Sequence, residues 1–287
     1  MSGKPGKSYN CAMRAAALQF DVTSSHDQNL EFVSKQLDEA SERGIELVLL
    51  PEMWASSFPT SGEELAERAK ADQQSMDTLR TLSAELNLCI GGSALYRLED
   101  SYRNRFQVFE QGSEVLYYDK VHLFSPTAEH EVFHAGEDAS STVKGAGAEL
   151  AAAICYDLRF PEQFRVAQRS GVEVFLLSAQ WPKPRDAHWR ALVIARAIET
   201  QCFIVACNRL GNAEIGRRRL QLEFPGNSLI VSPHGEVLAE GQGQAGLVEA
   251  DLDISEVRRF RTRVPVLRDS RADLYQRWLE DCGTEPS

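Results

Sequence analysis

The stretch His130-Glu131-Val132-Phe133-His134 spells H-E-x-x-H. On a helix that pattern puts two imidazoles at i and i+4 for a zinc ion, with a glutamate beside the metal-bound water. Here Pro126 and Gly136 bracket the motif and leave only residues 127–135 free to be helical. Val132 and Phe133 are the only large apolar residues on that stretch. An extended motif would continue with glycine and histidine where Glu137 and Ser140 stand, which leaves Glu162 as a distant third ligand. The segment reads better as an acidic loop with two ordinary histidines. Zinc hydrolysis through His130 and His134 is the remote alternative, and no metal or other cofactor is expected.

Three other residues stand where chemistry is usually presented. Glu52 follows directly on the apolar run L-V-L-L and Pro51, at a strand end of the kind that carries reactive groups in layered α/β folds. Lys120 ends the aromatic run Y-Y-D-K and opens an irregular segment that lasts to about Ser140. Loops of that length inside a domain are usually functional. Cys155 closes the small-residue run L-A-A-A-I-C, and Pro161 opens the next helix. A thiol on a strand-to-helix elbow stands near backbone N–H groups that can hold an oxyanion. Taken singly, each has a plain alternative: a solvated carboxylate, a solvated lysine, a buried structural thiol. Together they make a working set, because a free thiol with a pKa near ~8.5 needs a base or a cation to attack at neutral pH. A Cys–His hydrolase would need His122, His134, His188 or His234 beside Cys155 with an orienting Asn or Asp. The local context of such enzymes is missing.

The elements that must position these residues alternate. Strands are predicted at 13–20, 45–50, 88–95, 148–156, 172–180 and 202–208, and a hairpin turns at Gln111-Gly112-Ser113. Leu30, Val33, Leu37 and Ala40 mark one helix, with Ser25 as its cap. Met76, Leu79, Leu82 and Leu86 mark a second, 161–170 a third and 186–200 a fourth. The runs NSLIVSP, EVLAEG and GLVEADL are expected to form a late antiparallel set, and SEVRRFR a short helix before an irregular tail. Strands alternating with helices imply sheets covered by helices. The expectation is one domain over residues 1–287, with flexible tails at 1–11 and 280–287.

Charge and composition exclude whole classes. The chain has 287 residues and a net charge of -11, so it lacks the basic footprint of a non-specific nucleic-acid binder. The run Arg217-Arg218-Arg219 is too short to supply one. No apolar leader opens the chain and no stretch is long enough to span a membrane, so a cytoplasmic protein is expected. The six cysteines have no C-x-x-C spacing and read as reduced thiols. Cys89, Cys202 and Cys207 lie in or beside apolar runs and are expected in the core.

L-P-E-M at Glu52, D-K-V-H-L-F at Lys120 and I-C-Y-D-L-R-F-P-E at Cys155 occur in one order along the chain. In this the sequence resembles the nitrilase, or carbon–nitrogen hydrolase, superfamily over nearly its whole length. EMWASSF, QWPKPRDAHW and CNRLG make it most similar to the bacterial-type omega-amidases. The resemblance implies a four-layer αββα sandwich, a homodimer formed through the helical layer, and a Glu52-Lys120-Cys155 triad that needs no cofactor. Its substrate would be a small dicarboxylic acid monoamide such as alpha-ketoglutaramate. Nitriles, carbamoyl groups or other aliphatic amides are the alternative, and a non-catalytic scaffold would have lost a triad residue. The resemblance also implies a second glutamate seven residues before a glycine. Counting back from Gly136 gives Glu129, with Glu131 as its rival. The backbone N–H of Tyr156 would serve the oxyanion, while Trp54, Phe58, Phe124 and Trp181 are candidates for the pocket walls. Arg159, Lys183 and Arg185 are candidates for a substrate carboxylate, although Arg159 could equally pair with Asp157 or Glu162.

Overall fold

Ala15, Ala16, Ala17 and Leu18 are all buried, although successive side chains of a strand point to opposite faces. Such a strand needs cover on both sides. The computed structural model, which describes residues 12–59, 65–216 and 219–281, supplies it in four layers. In chain order the first half comprises β1 (Ala12–Gln19), α1 (His26–Glu42), β2 (Leu47–Leu49), α2 (Leu65–Glu85), β3 (Cys89–Leu98), β4 (Ser101–Glu110) and β5 (Ser113–Asp119). After a long loop come β6 (Val143–Gly145), β7 (Ala148–Ile154), α3 (Pro161–Arg169), β8 (Val174–Ala179), α4 (Asp186–Thr200) and β9 (Phe203–Asn208). The remainder is β10 (Leu210–Ile215), β11 (Leu220–Pro225), β12 (Leu229–Val231), β13 (Val237–Glu240), β14 (Gly246–Asp253), α5 (Ser255–Arg263), α6 (Val266–Asp269) and α7 (Ala272–Asp281).

One six-stranded sheet has the order β14-β1-β2-β3-β4-β5, and the other β13-β12-β9-β8-β7-β6. The two-residue strand period sorts the core. Ala15, Ala17, Leu47 and Leu49 face the second sheet and pack with Leu150, Ala152, Leu176 and Val205. Ala16, Leu18, Val48 and Leu50 face outward, under Val33 and Leu37 of α1 and Met76 and Leu79 of α2. On the far side, Phe164 of α3 and Trp189, Val193 and Ala197 of α4 cover the second sheet. The αββα sandwich follows. Gly92 shows how tight it is, because a Cβ there would stand 2.9 Å from Leu50 and 3.1 Å from Trp54.

The local signals hold where they were strong. Ser25 caps α1 and accepts from the N–H of Gln28, Pro161 opens α3, and the β4–β5 turn at Gln111 and Gly112 has both residues at positive φ. Cys89, Cys202 and Cys207 are buried thiols; Cys11 and Cys282 lie outside the described residues. Two expectations need correction, and one feature was not foreseen. The late antiparallel set divides: β12 and β13 extend the second sheet, but β14 returns to pair antiparallel with β1, from Ala12↔Asp253 to Gln19↔Gly246. Val248, Ala250 and Leu252 explain it, since they pack into the interface between the sheets while β14 pairs with the free side of β1. The tail is not irregular after α5. Leu274, Tyr275, Trp278 and Leu279 recur at helical spacing in α7, and Glu280 and Asp281 complete that helix. The expected tail at 1–11 and residues 282–287 lie outside the described residues. A third feature, the two-stranded β10–β11 sheet, has no counterpart in the sequence reading. Among the described residues no helix is long and apolar enough to cross a membrane.

Candidate active site

Glu52 is placed by the exit of β2. The Leu50 N–H bonds to Gly91 O at 2.7 Å, and its C=O accepts from Ser178 Oγ at 2.6 Å, so the strand end is fixed to both sheets. Met53 then takes a positive φ and donates its N–H to Ser93 Oγ at 3.0 Å. This turn leaves Glu52 fully buried. Its Oε1 accepts from Lys120 Nζ and from Asn104 Nδ2, both at 2.8 Å. Its Oε2 accepts from the N–H of Gln180 at 3.0 Å.

Lys120 is held by its own backbone, whose N–H bonds to Asn104 O at 3.0 Å and whose C=O accepts from Gly136 at 2.8 Å. A Cβ on Gly136 would collide with the Asp119 backbone, so glycine is needed for that approach. Nζ also donates to Glu129, at 2.8 Å to Oε1 and 2.9 Å to Oε2. Glu129 lies in a 3-10 turn, Glu129–Glu131, entered through Ala128 at positive φ, and is buried; Glu131 is exposed. Glu129 is therefore the glutamate that faces Lys120. The Phe124 N–H donates to its second oxygen. Burial lowers the pKa of the Lys120 ammonium, but the carboxylates of Glu129 and Glu52 more than offset this, and it lies above the ordinary lysine range. Burial raises the Glu129 carboxyl despite the pull of Lys120.

Cys155 stands where β7 turns into a 3-10 segment, Cys155–Arg159, and has φ +44. Asp157 holds the elbow by accepting from the Ile154 N–H at 2.9 Å. The Cys155 Sγ lies 3.8 Å from Gln180 O. Burial first, and the Glu52 carboxylate second, hold this thiol well above its ordinary pKa, while Lys120 pulls it down. A thiol held up in this way needs a base within reach to act as a nucleophile.

Glu52, Lys120, Glu129 and Cys155 line one cleft with about 470 Å³ of empty space, open mouth included. Tyr156, Phe124, Phe58 and Trp181 form aromatic walls, with Phe124 edge-on to Tyr156 at 4.9 Å. Trp54 does not reach the cleft; it is a core residue whose Nε1 points at Met76 Sδ, 3.3 Å away. Arg159 and Arg185 line the cleft, 4.8 Å from the Trp181 ring and 5.5 Å from the Phe124 ring. Arg159 meets His188 at 3.3 Å. Asp157 instead takes His122 and Tyr118. Lys183 is ion-paired with Glu223 and stands outside the cleft lining.

The H-E-x-x-H helix does not form. His130 sits in the short 3-10 turn, His134 follows in non-helical chain with its N–H on Tyr102 O, and both are exposed. Among the described residues no group of three His, Cys, Asp or Glu side chains is arranged to hold a metal. Several site residues went unread in the sequence. Asn104 shares the inward face of β4 with Phe106 and Val108, and asparagine is unusual on a buried strand face. Gln180 touches Glu52 and Cys155 but looks like any residue after a strand. Ile215, Leu222 and Phe224 come from the unforeseen hairpin and close the apolar side of the cleft.

Residues 14–262 match the family model described as carbon-nitrogen hydrolase. The 2-oxoglutaramate amidase of Bacillus subtilis is 34% identical over 262 residues, covering 91% of this chain and 98% of that protein. Omega-amidase YafV of Escherichia coli is 34% identical over 251 residues, covering 87% of this chain and 92% of that protein. Among solved structures, a variant of an amidase from Nesterenkonia sp. AN1 has a TM-score of 0.80 at 26% identity, covering 93% of this chain and 97% of that chain. That structure shows covalent addition of the acetamide moiety of fluoroacetamide at the active-site cysteine.

Proposed function

The chain belongs to the carbon–nitrogen hydrolase family, and from that premise we propose that it hydrolyses the terminal amide of a small dicarboxylic acid monoamide, such as 2-oxoglutaramate, through a Cys155 thioester. Amide hydrolysis is the activity of the amidases it matches at 34% identity over most of their length. One observation carries the finer reading: a single buried ammonium, Lys120, is shared by two carboxylates in the cleft that also holds the Cys155 thiol. The covalent acetamide adduct at the cysteine of the Nesterenkonia amidase shows a nucleophilic thiol there and supports a nucleophilic role for Cys155.

The steps follow from these groups. Glu52 takes the Cys155 proton as sulfur attacks the amide carbon. The Lys120 ammonium and the Tyr156 N–H hold the oxygen on which charge develops. Glu52 gives the proton to the departing nitrogen, ammonia leaves, and the thioester remains. Water then gives a proton to Glu52 and attacks the thioester, and the acid departs as the thiol recovers its proton. Glu129 keeps Lys120 in place throughout and orients the water. Arg159 and Arg185 are the cations available to a free substrate carboxylate, and the apolar wall of Ile215, Leu222 and Phe224 suits the short chain between the two ends.

The test is ammonia release from 2-oxoglutaramate, succinamate, glutamine, simple aliphatic amides and nitriles, with Cys155→Ala as control. Turnover of the monoamides that disappears in Cys155→Ala supports the reading. Full activity in Cys155→Ala refutes the thioester, and turnover of nitriles alone refutes the substrate class. The proposal includes a homodimer through the helical layer, supported by exposed Val166 on α3, Ile198 on α4 and Trp278 on α7. Light scattering of the eluting protein decides between monomer and dimer.

A further inference from the structure

Arg209 is fully buried, yet it does not line the cleft. A guanidinium carries five N–H donors in a rigid fork, and here each has an acceptor. Nε donates to Leu210 O at 2.9 Å, and Nη1 to Ser57 Oγ at 2.9 Å and Gln180 Oε1 at 3.2 Å. Nη2 donates to Asp21 Oδ1 at 3.0 Å and Val22 O at 2.6 Å. The acceptor on Gln180 decides how that amide faces. With Oε1 taken by Arg209, Nε2 turns the other way and donates to Glu52 O at 2.8 Å. The Gln180 N–H then meets Glu52 Oε2, and its C=O lies 3.8 Å from the Cys155 sulfur. The preceding residue, Asn208, treats Trp181 in the same manner. Its Oδ1 accepts from the Trp181 N–H at 2.7 Å, and its Nδ2 donates to Trp181 O at 3.1 Å.

We infer that Asn208 and Arg209 form a positioning clamp on Gln180 and Trp181, in which Arg209 sets the relation of Glu52 to Cys155 through Gln180, and Asn208 sets the pocket wall through Trp181. The inference rests on the roles given above to Glu52 and Cys155. The neighbouring sequence is built for the clamp. Gly211 has φ +88, and a Cβ there would run into the Asp21 carboxylate, so glycine lets Asp21 close on the guanidinium. Phe224 lies 4.8 Å from the same guanidinium and also lines the cleft. Lysine cannot replace this fork, because its three donors radiate from one atom and cannot span five acceptors.

The test uses the intact enzyme and whichever amide of the panel it turns over. Arg209→Lys should lower kcat about 10- to 100-fold, the scale of a misplacement near 1 Å, with KM changed by less than about 3-fold. Gln180→Met should do the same, and the double variant should be no slower than the slower single one. Asn208→Ser should act mainly on KM. Effects of Arg209→Lys and Gln180→Met that multiply would overturn the inference, as would an unchanged kcat in Gln180→Met. That second variant leaves the other four Arg209 bonds in place and decides the matter should Arg209→Lys not fold. Alkylation of Cys155 needs no amide turnover, and it separates a failure of the clamp from a failure of the proposed activity. Its rate should change by the same factor in Arg209→Lys and Gln180→Met, and stay at the wild-type value in Asn208→Ser; different factors in the first two sink the clamp.

Discussion

The imidazole Nδ1 of His122 lies 2.8 Å from Oδ1 of Asp157. His122 is two residues beyond Lys120, and Asp157 is two beyond Cys155, so this contact ties the loop carrying the cation to the elbow carrying the thiol. Asp157 is fully buried and also accepts from the His122 N–H at 3.0 Å, Tyr118 OH at 2.9 Å and Ile154 N at 2.9 Å. Asp157→Ala takes the acceptor from the Ile154 N–H and from both His122 donors, leaves Tyr118 OH with Gln163 Oε1 at 3.0 Å, and should cost about 3–5 kcal/mol of stability. Urea denaturation measures it; a loss below about 1 kcal/mol would mean that water or Gln163 replaces the carboxylate.

Lys120→Met should abolish hydrolysis and also make stability fall more steeply as pH rises. Glu129 is already raised by burial, and in the wild type only Lys120 opposes that effect strongly. Without the ammonium, Glu129 faces the Glu52 carboxylate with no cation between them and keeps its proton to still higher pH, further above its value in the unfolded chain. A raised folded pKa gives stability that is present at low pH and is lost as pH rises through the folded value. The variant should therefore melt higher near pH 5 than at pH 7.5, and at the upper pH it should trail the wild type by about 3–5 kcal/mol. A melting temperature that climbs from pH 5 to 7.5 would contradict the pairing.

Glu52→Gln should separate hydrolysis from thiol reactivity. Burial is the main reason that the Cys155 thiol resists ionisation, and the Glu52 charge is the next. Removing that charge while keeping Lys120 lets the thiolate form more easily. Amide hydrolysis should fall about 10²- to 10⁴-fold with the loss of the base. Alkylation of Cys155 at pH 7.5, followed by mass spectrometry, should accelerate. Slower alkylation would show that Glu52 assists the thiol rather than suppressing its charge at rest.

The two arginines in the cleft make distinguishable predictions. A charge-assisted hydrogen bond to a substrate carboxylate is worth about 1.5–3 kcal/mol. Replacing the arginine that makes it should lower kcat/KM for a monoamide about 10- to 100-fold and leave a neutral amide of equal length untouched. Arg159 is the better placed of the two, being carried on the elbow segment four residues after Cys155 and packed on Trp181. Arg159→Leu should therefore show the selective loss and Arg185→Leu a smaller one. Equal losses on charged and neutral amides would assign Arg159 to packing.

What the sequence made legible depends on how local each signal was. Glu52, Lys120 and Cys155 each end a strand-like run, so hydrophobic pattern with Pro51 and Pro161 marked them as candidates, and the resemblance to the nitrilase superfamily joined them into a set. Glu129 came from the resemblance, by a count back from Gly136 that left Glu131 as a rival; the structure shows that Gly136 packs on the Asp119 backbone, where a Cβ would not fit. Trp54 misled because adjacency to Glu52 does not set direction, and the turn at Met53 sends the indole into the outer core. Pairing partners were the least legible. β14 has the alternation of its neighbours, yet its partner β1 lies more than 200 residues earlier. Nothing in the segment itself separates that pairing from one with β13. The β10–β11 hairpin went unread although Leu220, Leu222 and Phe224 alternate with Gln221 and Glu223 as a half-buried strand does.

The buried thiols predict a loss of stability at high pH. Cys89, Cys155, Cys202 and Cys207 are all buried, and burial raises each of them, Cys202 to about 11 and the others at least as clearly. In the unfolded chain a thiol ionises near ~8.5. Above that pH the folded protein holds protons that the unfolded chain has released, so stability falls as pH rises. The contribution is complete below ~8.5 and declines through the range up to the folded values; for Cys202 the decline ends near 11. Each thiol adds about 1.4 kcal/mol per pH unit to the slope, so the described four together add about 5–6. Melting temperatures taken every half unit from pH 7 to 10 should be level to about 8 and then drop steeply. Cys207→Ala removes one thiol outside the cleft and should cut the slope by about a quarter at some cost in stability at neutral pH; an unchanged slope would place the source of the alkaline transition elsewhere.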